Sequence, residues 1–136
     1  MVTARSEQVD FSRPIRQGQL VETIARVVGV GGIGRELLGL ARPFFGRMVA
    51  ADPYAGADAV RALGAELLAL DDLLPEADFV VVSCPLNEHT FHLIDAARLR
   101  RMRPSAHLIN IARGPVVDEA ALVAALAAGT IAGAGL

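Results

Sequence analysis

Short apolar runs recur along the chain, separated by longer stretches in which apolar residues fall at helical spacing. The runs Ala25–Val30, Arg47–Ala51, Phe79–Ser83, His107–Ile111 and Ile131–Leu136 are rich in Val, Ile, Leu and Ala. They read as strands, and Phe79-Val80-Val81-Val82 has the unbroken apolar character of a strand buried on both faces. Glu66–Ala69 reads as a shorter strand. Ile33–Arg42 reads as a helix with Leu37, Leu38 and Ala41 on one face, stopped by Pro43 because a proline ring clashes with the preceding helical turn. Ala57–Leu63 is a short helix closed by Gly64. Asp71–Glu76 forms a helical turn, and Asp95–Met102 a helix with Asp95 as its N-cap. A last helix runs from Asp118 to about Ala128, where Gly129 ends it. Residues 1–19 show no period and read as a loosely ordered lead-in to a domain spanning 20–136.

Strand and helix alternate from about residue 25 onward. That order predicts an α/β fold: a Rossmann-type, doubly wound parallel sheet with helices on both faces and right-handed crossovers. Such sheets bind ligands beyond the carboxyl ends of the strands, where strand order reverses. The candidate site is therefore Gly29–Gly34, Asp52, Cys84-Pro85 and Ala112-Arg113.

The first strand runs straight into Gly29-Val30-Gly31-Gly32-Ile33-Gly34 and then into a helix. Gly29 permits the tight turn. Gly31 lets the backbone approach a pyrophosphate, and Gly34 lets the helix lie close to the strand. The free N–H groups and positive dipole end of that helix then face the phosphates. Asp52 closes the next strand, 18 residues beyond Gly34. That is near the spacing at which a carboxylate accepts hydrogen bonds from the adenosine ribose and disfavours a 2′-phosphate. A second reading makes Asp52 simply the start of the Asp52-Pro53-Tyr54 turn.

Composition narrows the classes. With 136 residues, the chain suits one domain with one core, and at 53% hydrophobic but 4% aromatic content that core is aliphatic. A net charge of −2 provides no basic footprint, so neither nucleic acid nor a charged membrane surface is expected as a partner. All 13 basic residues are arginine, which reads as coding bias. The one cysteine, Cys84, excludes an internal disulfide framework and fits a reducing cytoplasm. His89, His92 and His107 lack metal-ligand spacing, so no metal is expected. The first residues lack the apolar core of a signal peptide and no apolar run approaches membrane-spanning length, so neither a secretory leader nor a membrane span is expected.

Among groups that could do chemistry, Cys84 has no assigned basic partner and reads as a pocket wall. The histidines read as surface or packing residues. Arg113 follows a buried strand and precedes Gly114-Pro115, so a permanent charge stands at the ligand edge. Its guanidinium could hold a carboxylate in two-point geometry and polarise a neighbouring carbonyl; equally, it could pair with Asp118 or Glu119.

Four ordered stretches together resemble the NAD-binding domain of the D-isomer-specific 2-hydroxyacid dehydrogenases. They are Val28–Gly34, Ala51-Asp52-Pro53-Tyr54, Cys84–Thr90 with Leu93-Ile94, and Leu108–Asp118. The phosphoglycerate dehydrogenase and hydroxypyruvate reductase branches are nearest in flavour, and the likeness covers about Gly18 to Leu136. The resemblance implies NAD as cofactor and a small 2-hydroxy or 2-oxo acid as substrate. Gly32-Ile33 would touch the pyrophosphate and Asp52 the ribose. Cys84 and Pro85 would line the pocket, with Thr90 supporting that loop. Ile111-Ala112 would flank the nicotinamide, and Arg113 would be the catalytic arginine that binds the substrate carboxylate. A homodimer formed through this domain is the implied assembly. Three departures stand out. Arg26 occupies a position where the family often has a small residue. The family's acid–base histidine and its glutamate partner have no counterpart, and Leu136 stands just before the family's next acid. The chain therefore reads as a C-terminally truncated domain. The competing expectation is a non-catalytic NAD-binding or dimerisation module, or an inactive remnant.

Overall fold

The computed structural model describes residues 24–136, so the lead-in expected at 1–19 lies outside the described residues. Six parallel strands form one sheet in the order β3-β2-β1-β4-β5-β6. They are β1 Ile24–Val28, β2 Arg47–Ala51, β3 Glu66–Leu67, β4 Phe79–Val82, β5 His107–Asn110 and β6 Gly133–Gly135. The helices are α1 Gly32–Ala41, α2 Ala57–Ala62, α3 Leu70–Leu73, α4 Ala96–Arg101 and α5 Glu119–Ala127. The chain winds outward from β1 to β3, returns through α3, and winds outward again from β4 to β6. Strand order therefore reverses between β1 and β4, which pair directly, Val28 opposite Val82.

Side chains alternate across each strand, so the sheet carries one core on each face. On one face Val27, Met48 and Ala50 pack with Leu38 of α1 and Val60 of α2. On the other, Val28, Val49, Val80, Val82 and Leu108 pack with Leu73, Leu99 and Leu122 from α3, α4 and α5. This is the expected doubly wound architecture. It departs from the expectation of one core, because a sheet buried on both sides must fill two layers.

β2 keeps its expected bounds, and the other strands differ by one or two residues at their ends. Gly29 and Val30 leave β1 because Gly29 turns at φ 97°. β3 is two residues long and β6 three, both shorter than the apolar runs suggest. A 3₁₀ turn at Gly114–Val116 was not foreseen; Pro115 sits in it where its missing N–H costs nothing. The caps are as read. Asp95 accepts from the Arg98 N–H at 2.8 Å and Asp118 from the Ala121 N–H at 3.1 Å, while Gly64 and Gly129 follow their helices. Among the described residues no helix is long and apolar enough to cross a membrane.

Among the described residues Arg26 is the charged side chain buried completely, on the face of β1 that also carries Val28. Its Nη2 donates to Glu76 Oε2 at 3.0 Å, while Nε and Nη1 have no partner among the described residues. Arg47 donates to the same Glu76 oxygen at 2.9 Å and to Glu66 at 2.9 Å, which ties β1, β2 and β3 to the turn after α3. Burial lowers the Arg26 pKa, opposed by Glu76.

Candidate functional site

The carboxyl ends of β1, β2, β4 and β5 bring the four sequence-predicted stretches to one edge of the sheet. Gly29 leaves β1 and donates its N–H to the Ala51 carbonyl at 2.9 Å. A Cβ on Gly29 would lie 2.7 Å from the Cys84 nitrogen and 2.9 Å from its Cβ, so β4 closes directly on this turn. A Cβ on Gly34 would overlap the Gly29 carbonyl oxygen. These two glycines are required by contact within the protein itself.

Gly31 and Gly32 differ: a Cβ on either meets nothing within 4 Å. Gly31 is the N-cap of α1 and has no side chain to satisfy the helix, which carries no side-chain cap hydrogen bond. Helix geometry leaves the first N–H groups of α1 without intrahelical acceptors. The space where a Cβ of Gly31 or Gly32 would stand is open, and Ile33 beside it is 61% exposed. A smooth cradle of free N–H donors at the positive end of a helix dipole fits an anionic pyrophosphate.

Asp52 ends β2 and turns back toward this cradle. One carboxylate oxygen accepts from the Val30 N–H at 2.7 Å and the other from the Tyr54 N–H at 2.8 Å. The turn reading and the ligand-facing reading are thus compatible. The carboxylate starts the Asp52–Ala55 turn, and the same bonds fix it beside the glycine loop. Each oxygen keeps acceptor capacity for a hydroxyl donor.

Cys84 is buried at the end of β4. Burial, with a smaller push from the Asp52 charge, raises its thiol pKa, which removes it further from nucleophile chemistry. Pro85 and the following loop are exposed, held by Asn87 and Thr90. The Thr90 hydroxyl donates to the Pro85 carbonyl at 2.6 Å and accepts from the Asn87 N–H at 2.8 Å. The Asn87 Oδ1 accepts from the His89 and Thr90 N–H groups at 2.9 and 3.1 Å.

Arg113 is exposed beyond β5, and its Nη1 donates to the Ala112 carbonyl at 2.8 Å. Neither Asp118 nor Glu119 is its partner among the ion pairs of the described residues. Asp118 caps α5 and lies 3.8 Å from His92 Nδ1. Asn110 shapes the loop: its Oδ1 accepts from the Ala112 N–H and its Nδ2 donates to the Arg113 carbonyl, both at 3.0 Å. Ile111 is 44% exposed next to it. A hollow of about 370 Å³ lined by Phe91, His92, Gly114, Pro115 and Leu136 borders this loop. His107 stacks on Phe79 and His92 on Phe91, while His89 is exposed. Among the described residues no three His, Cys, Asp or Glu side chains gather as a metal-ligand set.

Sequence reasoning missed Ser83, whose hydroxyl bonds to the glycine turn, and Asn110, which braces Arg113. It also missed Glu76 as the partner of Arg26. Ser and Asn at strand ends are a signal for backbone bonding, but the partner depends on strand register.

Comparison with known proteins decides the family. Residues 3–136 match the family described as D-isomer specific 2-hydroxyacid dehydrogenase, NAD binding domain. The chain belongs to this family. NAD is accordingly its cofactor class, and the open glycine cradle with Asp52 beside it suits that molecule. The chain is 47% identical over 110 residues to a glyoxylate reductase of Thermococcus onnurineus (strain NA1), covering 81% of this chain and 33% of that protein. It is 37% identical over 152 residues to glyoxylate/hydroxypyruvate reductase B of Yersinia pestis (strain Pestoides F), covering 100% of this chain and 46% of that one. Among solved structures it is similar to the NAD-complexed D-isomer specific 2-hydroxyacid dehydrogenase of Lactobacillus delbrueckii ssp. bulgaricus. The TM-score is 0.78 and the identity 35%, covering 84% of this chain and 34% of that one. The chain therefore spans between a third and a half of the length of the relatives it matches.

Proposed function

We propose that this domain serves an NAD-dependent oxidoreductase acting at the C2 carbon of a D-2-hydroxy acid or its 2-oxo partner. The observation that carries the reading is Arg113. An exposed guanidinium, free of a carboxylate partner among the described ion pairs, stands at the same sheet edge as the glycine cradle and Asp52. NAD, when bound, supplies or accepts the hydride. Gly31, Gly32 and Ile33 hold the pyrophosphate through backbone N–H groups, and Asp52 accepts from the adenosine ribose. Cys84 and Pro85 form one wall, with Thr90 bracing their loop. Ile111 and Ala112 border the nicotinamide. Arg113 binds the substrate carboxylate and orients the 2-oxo group, where a fixed positive charge stabilises negative charge developing on oxygen.

A chimera tests this. Residues 24–136 replace the matching segment of the Thermococcus onnurineus glyoxylate reductase, and NADH oxidation with glyoxylate is followed. The chimera turns over, and Arg113→Ala lowers kcat/KM by about 10²–10³-fold, the usual cost of removing one oxyanion-stabilising donor. Unchanged turnover in the Arg113→Ala chimera overturns the assignment.

The reading includes a reducing compartment, the cytoplasm, supported by the free thiol of Cys84. It also includes a homodimer, supported by Leu40 of α1 and Phe44 just beyond it, 71% and 79% exposed. Light scattering of the purified chain checks the assembly: a dimer mass is expected, and a monomer at high micromolar concentration contradicts it.

A further inference from the structure

We propose that Ser83 is a positioning residue for the pyrophosphate cradle, acting from β4 as Asp52 acts from β2. One peptide unit, the one joining Gly29 to Val30, is held at both ends. Its carbonyl accepts from the Ser83 hydroxyl at 2.8 Å. Its N–H donates to Asp52 Oδ2 at 2.7 Å. The two polar ends of a single peptide plane are therefore held by side chains from the strands on either side of β1. The Ser83 N–H also donates to the Val28 carbonyl at 2.8 Å, which locks the end of β4 to the last residue of β1.

That plane controls the cradle directly. The Gly29 carbonyl oxygen is the atom a Cβ on Gly34 would strike, and Ser83 Oγ lies 3.1 Å from that same Cβ position. The first turn of α1 thus rests on the Gly29 carbonyl and on Ser83 together. If the plane rotates, the start of α1 must move with it, and so must the N–H groups aimed at the pyrophosphate. A hydroxyl donating to a carbonyl whose own peptide N–H meets a carboxylate also forms a polarised chain, in which each bond strengthens the next. The Asp52 carboxylate has a second anchor in the Tyr54 N–H, which holds it at the end of β2 even when the Val30 N–H shifts.

The proposal rests on the NAD reading of the site and makes a selective prediction. Ser83→Ala removes the hydroxyl; Ser83→Cys keeps the size and replaces it with a weak donor. In the 136-residue chain, both variants weaken NADH and ADP binding about fivefold, the worth of roughly one hydrogen bond of 1 kcal/mol. Adenosine, which has the ribose but no phosphate, binds all three proteins alike. NADH is followed by its fluorescence, ADP by calorimetry and adenosine by NMR titration. Unchanged ADP affinity in Ser83→Ala overturns the proposal. So does wild-type affinity in Ser83→Cys, which would assign the role to packing, or an equal loss for ADP and adenosine, which would mean general damage. A wild-type chain that binds none of the three overturns the NAD reading itself, a result distinct from all of these.

Discussion

The glycines of the turn divide by what surrounds each missing Cβ. At Gly34 a methyl group would meet the Gly29 carbonyl oxygen, a backbone atom held by Ser83 and unable to give. At Gly32 it would meet nothing. Gly34→Ala is therefore expected to cost about 3 kcal/mol or more of folding stability, at the upper end of overpacking effects. Gly32→Ala leaves the melting temperature unchanged or slightly raised, because alanine favours the helix. It puts a methyl where the pyrophosphate approaches, so NADH affinity falls at least about tenfold, or 1.4 kcal/mol. Thermal denaturation and NADH titration of the two variants separate the effects; equal melting temperatures would contradict the steric account. These residues were legible in the sequence because spacing alone relates a glycine turn to the strand before it and the acid 18 residues later. Ser83, Asn110 and Glu76 were not, because their partners are set by which strands lie side by side.

Among the elements, the core strands were legible and their ends were not. A strand stops where its neighbour no longer offers ladder partners, which is why β3 shrinks to two residues. The N-terminal side of the sheet adds a feature that periodicity could not show: Arg26, buried in central β1 and held, among the described residues, by Glu76. Hydrogen bonds from Arg47 and then Arg26 depress the Glu76 pKa below its ordinary value. A carboxyl whose pKa is lower in the folded than in the unfolded chain favours folding fully above about pH 4.3, the unfolded value, and loses that contribution as pH falls toward the folded pKa. Asp71, hydrogen-bonded by Arg98, acts in the same direction. Acid denaturation is therefore expected to begin as pH drops below about 4.5 and to leave Arg26 a buried charge without a counter-ion. Arg26→Leu, which fills the site with apolar volume, leaves stability at pH 7 unchanged or raised and flattens the acid limb. A steeper acid limb in Arg26→Leu contradicts this account.

For the whole molecule, alternating strands and helices sufficed to predict a doubly wound parallel sheet with helices on both faces, because right-handed crossovers and buried parallel strands leave few alternatives. The strand order β3-β2-β1-β4-β5-β6 puts the glycine turn and Cys84 at the reversal and Arg113 one strand further out. The two-layer core was less legible, since a one-dimensional apolar pattern does not say which face each residue meets. The central claim is that this edge binds NAD through the glycine cradle and Asp52. Titrating NADH and NADPH into the purified 136-residue chain tests it most directly, followed by the fluorescence of the reduced nicotinamide. NADH is expected to bind more tightly than NADPH. Asp52→Ala should lower NADH affinity about tenfold or more, the worth of hydrogen bonds to a charged acceptor, and narrow the preference. Absence of NADH binding at millimolar concentration, or tighter binding of NADPH by the wild-type chain, would contradict the account.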